Sequence, residues 1–476
     1  MAGSQDAVTA VASANPTPND LDAYLPWACA QLQCDFPITV IKITQSQYVS
    51  VATGPKKNVN RSKVIKLIQS SSSDSNLKKD DKMVQSELSE EEGIIKIFAI
   101  YDLADHLVEL KFVKNEELPR ILFQIIGLII PFQKYLTTIT IHQGIDVYGL
   151  YEITKFLPTC NVTDLCFDGT ILNGGSYGIL FENFTSIKRI CLSRCKIDDT
   201  VIETIASQLV HPLPASKSLL ILDLSTNRIT DIGAKHMAHA LRSNRALNYL
   251  NLSDNSLTDV GGEMLLESLM NFQITNEELQ FSKEEKMKYL RKRNELITHI
   301  LKELRTEFLK GKRKSVKPLI KPQTPKKGKG IEREGSLKAI SDDKLAMDFD
   351  SFLYERACIV AELQLGVFND PFSRNNLVIK NGIVYCLGNN TLCYLNLSYN
   401  NLTYLSLKTL LKVVKCQKGN NRKPQGIINV AINGNYLPVS CAELLQIEDL
   451  LNVSPDKISN KKRAGSRSVS TVRQRP

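Results

Sequence analysis

The chain is poor in aromatic residues, which make up 7% of its 476 positions, and it has a single tryptophan, Trp27. It also lacks a long apolar run. The longest, Ile121–Ile130, is bracketed by Arg120 and Pro131 and falls short of the ~20 residues needed to cross a bilayer. A buried helix is expected there, and no membrane association. The start, Met1 to Asn19, is polar and has neither the basic nor the apolar block of a secretory signal. The 11 cysteines are odd in number and scattered, with no CxxC and no CxxxH near them. Together these absences predict reduced thiols in a cytoplasmic protein. Asn-x-Ser triplets such as Asn251–Ser253 and Asn396–Ser398 then have no glycan to carry and must serve the fold.

Catalytic signatures are missing as well. No phosphate-cradling GxxxxGK[ST] loop, no zinc-binding HExxH and no nucleophilic-serine elbow is read. His236 and His239 lie three apart on an expected helix, but no third ligand accompanies them, and a solvated helix face explains the pair. The expectation is a protein that is not an enzyme and holds no cofactor or metal.

What the chain does have is unevenly placed positive charge. The net charge is +10, yet Lys310, Lys312, Arg313, Lys314, Lys317, Lys321, Lys326, Lys327 and Lys329 form a tract without one acid, and Lys457–Arg475 adds seven more positives. The rest of the chain is therefore about six charges acidic. Both basic stretches are Pro-, Gly- or Ser-rich and nearly devoid of bulky apolar residues. They cannot bury enough surface to offset their ordering entropy, so disorder is expected. Phosphate binding needs only charge, but no aromatic interleaves the tract and no nucleic-acid module is recognisable. Nucleic acid is an unlikely partner; an acidic protein surface such as tubulin's suits the same charge.

The decisive feature is an internal period. The pattern L-x-x-L-x-L-x-x-N-x-L fits LLILDLSTNRI (Leu219, Leu222, Leu224, Asn227, Ile229) and, 28 residues on, LNYLNLSDNSL (Leu247, Leu250, Leu252, Asn255, Leu257). Each runs into T-D-x-G and an apolar helical pattern. Weaker copies begin at Leu107, Leu136, Val162 and Ile187 upstream, and at Leu392 and Ile427 downstream, with Cys195 in the asparagine place of one copy. The steps are 29, 26, 25, 32 and 28 residues, then 145, then 35. Alternating leucines point one face of a short parallel strand into a core. The asparagine can bond backbone groups of the turn and the adjoining repeat. Gly233 and Gly261 suit a tight entry to the helix, and Asp198, Asp199 and Asp231 stand where a carboxylate favours a helix N-terminus. One such unit cannot bury its own face, so several must stack. These repeats, over Leu107–Thr275 and Asn390–Gln446, resemble the ribonuclease-inhibitor-like class of leucine-rich repeats. The fold expected is an α/β leucine-rich-repeat solenoid, curved, with parallel strands inside and helices outside, interrupted by a long charged insertion.

Residues between the core leucines of each strand face outward on the concave side. The third place holds Asp164, Arg189, Ile221, Tyr249 and Tyr394; the fifth holds Cys166, Cys191, Asp223, Asn251 and Asn396. Asp164, Arg189, Asp223, Tyr249, Asn251, Tyr394 and Asn396 are the candidate partner-binding residues. Tyrosine in particular offers contact area with a polar tip, although ordinary surface tyrosines supporting the sheet would look the same.

Five segments follow from composition. Residues 1–95 form an N-terminal region, in which Leu21–Val51 is either a cap on the solenoid or a docking element and Gly54–Glu92 is a linker. Residues 96–275 carry repeats, 276–385 the insertion, 386–446 further repeats and 447–476 a basic tail. Within the insertion, Leu290, Ile297, Leu301, Leu304 and Phe308 fall at helical spacing between Glu277 and Lys310. Docking of that stripe onto the solenoid is favoured over a coiled-coil seam with a partner.

The order of parts, with NGIVYCLGNNTLCYLNLSYNNLT at residues 381–403 resuming the repeats after a Lys-rich insertion, resembles a family of animal leucine-rich-repeat proteins linked with motile cilia and flagella. That resemblance implies a structural component or adaptor of the axoneme, with axonemal or microtubule-associated proteins as partners. Two other readings stay open: a small-GTPase regulator, on likeness of fold alone, or an RNA-associated nuclear protein, on the basic tracts alone. Oligomeric state is not legible.

Overall fold

The computed structural model describes residues 15–45, 93–113, 115–182, 186–315, 335–420, 422–438 and 440–452. Two compact units divide the chain: residues 1–272 with 387–476, and residues 273–386.

The first unit is built on a ten-stranded sheet. Its strands are β1 (Ile38–Thr44), β2 (Ile95–Tyr101), β3 (Leu107–Phe112), β4 (Thr138–Ile141), β5 (Asp164–Cys166), β6 (Arg189–Cys191), β7 (Ile221–Asp223), β8 (Tyr249–Asn251), β9 (Tyr394–Asn396) and β10 (Asn429–Ala431), in that spatial order. From β3 onward every pairing is parallel and in register. Leu110, Ile139, Leu165, Ile190, Leu222, Leu250, Leu395 and Val430 stand side by side, and all but the last, at the open edge, are fully buried. Each repeat contributes one rung, and the fourth-place apolar residue must point inward because side chains alternate along a strand. β8 pairs directly with β9 across the 145-residue jump, placing Leu250 against Leu395. Sheet continuity therefore ignores the insertion.

The helices that return the chain cover the other side. They include Arg120–Ile129, Val147–Phe156, Asp199–Gln208, Asp231–Ser243, Asp259–Glu267 and Tyr404–Gly419. Ile121–Ile130 is indeed a buried-face helix: Leu122, Phe123, Ile125, Ile126 and Ile129 are buried while Leu128 points to solvent. Where the third copy lacks an α-helix, the 3₁₀ segment Asn173–Phe181 takes its place, anchored by the buried Tyr177. No helix among the described residues is long and apolar enough to cross a membrane.

A boundary at 95/96 does not follow the structure. β1 and β2 belong to the same sheet as the repeats, with β2 antiparallel to β3 and β1 parallel to β2. The helix Leu21–Gln31 lays Leu21, Leu25, Ala28 and Cys29 into the common core, with Trp27 against its margin. Tyr101 donates to Asp22, and Gln133 donates to the carbonyls of Pro18 and Asn19. The structure thus seats residues 21–44 as a cap on the first repeat. Only the reversal of strand direction at β2 makes that possible, and periodicity does not reveal it.

In the second unit the helix Asn276–Ser315 runs antiparallel to the helix Gly335–Leu365. Ile297 and Ile300 pack on Ala357 and Ala361, with Leu296, Leu301 and Leu304 at the margin. Arg293 pairs with Glu362 at 2.7 Å, and the Tyr289 hydroxyl donates to the Gly366 carbonyl. Within the insertion a second helix thus packs on Ile297, Leu301 and Leu304 of the stripe, a cover that neither expected reading included. A strand hairpin, Leu377–Lys380 with Ile383–Cys386, ends the unit. The first helix extends to Ser315, so Lys310, Lys312, Arg313 and Lys314 are helical, contrary to the expected disorder. Lys and Arg are good helix formers, and cations suit a helix C-terminus. Lys317–Lys329 and the tail Lys457–Arg475 lie outside the described residues.

Candidate concave-face binding site

Two rows of side chains run across the strands on the concave face, and the structure treats them differently. In the fifth-place row Asp223 and Asn251 are almost fully buried, 3% and 0% exposed. The Asp223 carboxylate accepts from the Ser225 amide at 3.0 Å, the Ser225 hydroxyl at 2.7 Å and the Asn251 side-chain amide at 3.0 Å. Asn251 and Asn396 in turn accept from the amides of Ser253 and Ser398. These groups bind their own turns. Asp223 and Asn251 are therefore corrected: they are ladder residues that shape the face, inaccessible to a partner, and Asn396 is half-buried in the same arrangement. Parallel strands lie only ~4.8 Å apart, so a short polar side chain in this row is shut in by its neighbours and by the turn after it. Cys166 and Cys191 are register partners in the same row. Contact with Cys191 and burial push the Cys166 thiol well above its usual range.

The third-place row is more open. Asp164, Arg189, Ile221, Tyr249 and Tyr394 are half-buried and stand in one register across β5 to β9. The structure brings Tyr249 and Tyr394 together, ring centroids 6.4 Å apart and tilted by 37°. Burial, then the Asp223 charge, push the Tyr249 phenol up to about 12, so it stays a neutral donor at any physiological pH. Neither tyrosine hydroxyl nor the Arg189 guanidinium makes a hydrogen bond or ion pair among the described residues. Among the described residues the Asp164 carboxylate accepts only from the adjacent Thr163 hydroxyl, at 2.6 Å. Beyond the strand ends a rim cluster forms. Asp168 accepts from the Ser193 hydroxyl and the Arg194 guanidinium; these bonds overcome its burial and hold its carboxyl below the usual range.

The frame beneath these rows is a set of repeated clasps. Asn227 donates to the carbonyls of Leu192, Leu224 and Ser225 and accepts from the amides of Cys195 and Ile197. Asn255 and Asn400 repeat the pattern one rung later each, Asn400 accepting from the Leu257 amide 143 residues away in sequence. Cys195 turns its thiol to the Phe167 carbonyl instead.

The acids at the helix entries do more than favour their own helix, as expected from sequence. Asp199 accepts from Thr230 and from the Gly233 amide of the next repeat, Asp231 from Thr258 and Gly261, and Asp259 from Thr403 and Ser406. A Cβ on Gly233 would stand 2.6 Å from the Asp199 carboxylate, and one on Gly261 2.4 Å from that of Asp231. Close approach, not positive φ, is why glycine follows the T-D pair. At Ser406 the hydroxyl donates to Asp259, so that position carries a side chain and still closes the clasp.

One string runs against the expectation that the chain has no nucleophilic-serine motif. Gly174-Gly175-Ser176-Tyr177-Gly178 does spell G-x-S-x-G. A nucleophile elbow requires a strand-to-helix turn, whereas this string sits inside the 3₁₀ segment with Gly174 and Gly175 at positive φ. Tyr177, its only engaged side chain, bonds the Thr170 carbonyl and Leu172 amide within the core. His239 is exposed and His236 stands 3.9 Å from Glu203, an ordinary helix-face arrangement. Among the described residues no group of three or more His, Cys, Asp or Glu could hold a metal ion.

Comparison with known families matches the Leucine Rich repeat family at residues 215–238, 243–266 and 388–411. These are the rungs carrying β7, β8 and β9, the last resuming immediately beyond the second unit. No curated protein matches the chain.

Proposed function

We propose that this chain, whose repeats match the Leucine Rich repeat family, is a non-enzymatic scaffold that grips a partner protein on the third-place row of its concave face. The observation that carries the proposal is the contrast between the rows: fifth-place polar groups are consumed by the fold, whereas Arg189, Tyr249 and Tyr394 keep their polar ends available. Half-buried tyrosine and arginine are the residues that most often dominate protein interfaces. The partner belongs to the axoneme of a cilium or flagellum, a placement supported by the resemblance of the repeat–insertion–repeat order to cilium-linked proteins. Lys310–Lys329 adds electrostatic attachment to an acidic surface such as the microtubule's.

Proximity labelling in ciliated cells tests this with the wild type, Tyr249→Ala/Tyr394→Ala, and a deletion of Lys310–Lys329. Axonemal neighbours lost in the tyrosine variant support gripping by the concave row. Loss only in the deletion moves the binding role to the basic tract. Cytosolic or nuclear neighbours for the wild type overturn the axonemal assignment.

A further inference from the structure

The third-place row has an order as well as an exposure. Reading across β5 to β9 it runs acid, base, aliphatic, aromatic, aromatic: Asp164, Arg189, Ile221, Tyr249, Tyr394. We propose that this row seats an amphipathic α-helix of the partner, laid across the strands, with a carboxylate on Arg189 and apolar side chains over Ile221, Tyr249 and Tyr394. The proposal rests on the concave row being the binding face and adds the conformation and polarity of what binds there.

The backbone argues for a helix. The row lies on a sheet face, where the strands' own N–H and C=O groups are already engaged in the parallel ladder. An extended segment pressed onto that face would bury amides with no partner, a cost that strand-type recognition avoids only at a sheet edge. A helix satisfies its backbone internally. The spacing agrees: four strand steps of ~4.8 Å, about 19 Å in all, present a side chain each. A helix repeats a face every ~5.4 Å and meets such a row with a tilt of about 27°. An extended chain offers a same-side residue only every ~6.7 Å and would skip positions.

Charge sets the direction. Arg189 makes no hydrogen bond or ion pair among the described residues, and exposed Lys188 stands beside it. Asp164, one strand before, is held by Thr163. The complement is a helix carrying a basic residue, an acid one turn on, then apolar residues on the following turns. Reversing that order sets acid on Asp164 and base on Arg189. Like charges facing each other across a poorly solvated contact cost affinity.

The experiment uses the full chain and labelled synthetic 18-residue peptides, helix-constrained by side-chain lactams, with binding read by fluorescence anisotropy. The first peptide has the order Lys, Glu, Leu, Leu on successive turns of one face. The second exchanges Lys and Glu, and the third has the first sequence broken by a central proline. Expected is binding of the first at least about tenfold tighter than of either control, a tenfold discrimination being ~1.4 kcal/mol. Arg189→Glu should erase the preference between the first two, since each peptide then meets one like and one unlike charge. Tyr249→Ala/Tyr394→Ala should weaken the first about tenfold, whereas Tyr249→Phe/Tyr394→Phe, which keeps the rings, should stay within about threefold. Equal binding of the first two peptides, or indifference to Arg189→Glu, overturns the polarity; equal binding of the proline peptide overturns the helix. If the peptides show no preference while the tyrosine variant still loses its neighbours in cells, this inference falls and the concave-row reading stands.

Discussion

The third- and fifth-place rows share one face of one sheet, two residues apart along each strand, and have opposite fates. Asp223 and Asn251 are the more polar pair and look like the better binding residues, yet they are closed in by Ser225, Ser253 and each other. Tyr249 and Tyr394 stay half-exposed, their rings tilted against each other. The lesson is that in a solenoid short polar side chains on the inner face build the curve, and long ones project from it.

The largest expected effect comes from breaking the frame beneath both rows. Asn255→Ala removes bonds to the carbonyls of Leu224, Leu252 and Ser253 and to the Ile229 amide, all within the buried turn. A loss of about 3 kcal/mol is expected, since several buried backbone groups lose their partner at once. Urea denaturation monitored by circular dichroism would register it, and a loss under 1 kcal/mol would contradict the clasp.

Next comes the fifth row itself. Asp223→Ala should cost about 2 kcal/mol by stranding Ser225 and Asn251. It should leave peptide binding to the folded protein within about threefold, since a closed-in row makes no direct contact with a ligand. A variant of normal stability that no longer binds would return Asp223 to the binding site.

The outer helices provide a control far from either row. Glu152, 5% exposed, accepts from Arg120, Lys155 and Gln124. Burial raises its pKa, but those donors win and bring it down to about 2 from an ordinary 4.5. Because the folded value is the lower one, its contribution is complete above about pH 4.5 and is lost as the pH falls toward 2. Glu152→Gln should cost about 1 kcal/mol at pH 7, with Arg120 and Lys155 partly solvent-screened. The difference from wild type should shrink in melts run at pH 3. A constant difference across that window would contradict the charged network.

The smallest stability effect belongs to the third row. Tyr249→Ala/Tyr394→Ala should change stability by only about 1 kcal/mol, because the pair makes no hydrogen bond and is half-exposed. Binding, by contrast, should fall about tenfold. Melting curves measured beside the anisotropy titrations separate the two, and a collapse in stability would make these tyrosines structural.

Much of the fold was legible because a repeat writes the same physical requirement many times. Leu222, Leu250 and Leu395 occupy one register place, and the turn asparagines Asn227, Asn255 and Asn400 another, so the rungs followed from spacing, while the pairing of β8 with β9 across the insertion is shown by the structure. The cap did not follow: β1 and β2 share no period with the repeats, and β2 joins the sheet by reversing direction. The cover on the 276–315 helix was equally hidden, since its most buried partners there, Ala357 and Ala361, are small residues that give only a weak apolar signal.

By itself, then, the sequence determined the solenoid, its strand register and the order of side chains across the concave face, because alternation and period are local properties of the chain. Which of those outward side chains stay available was decided only in the tertiary structure. Burial of a short Asp or Asn depends on a neighbouring strand ~4.8 Å away that belongs to another repeat, and no pattern within one repeat contains that neighbour.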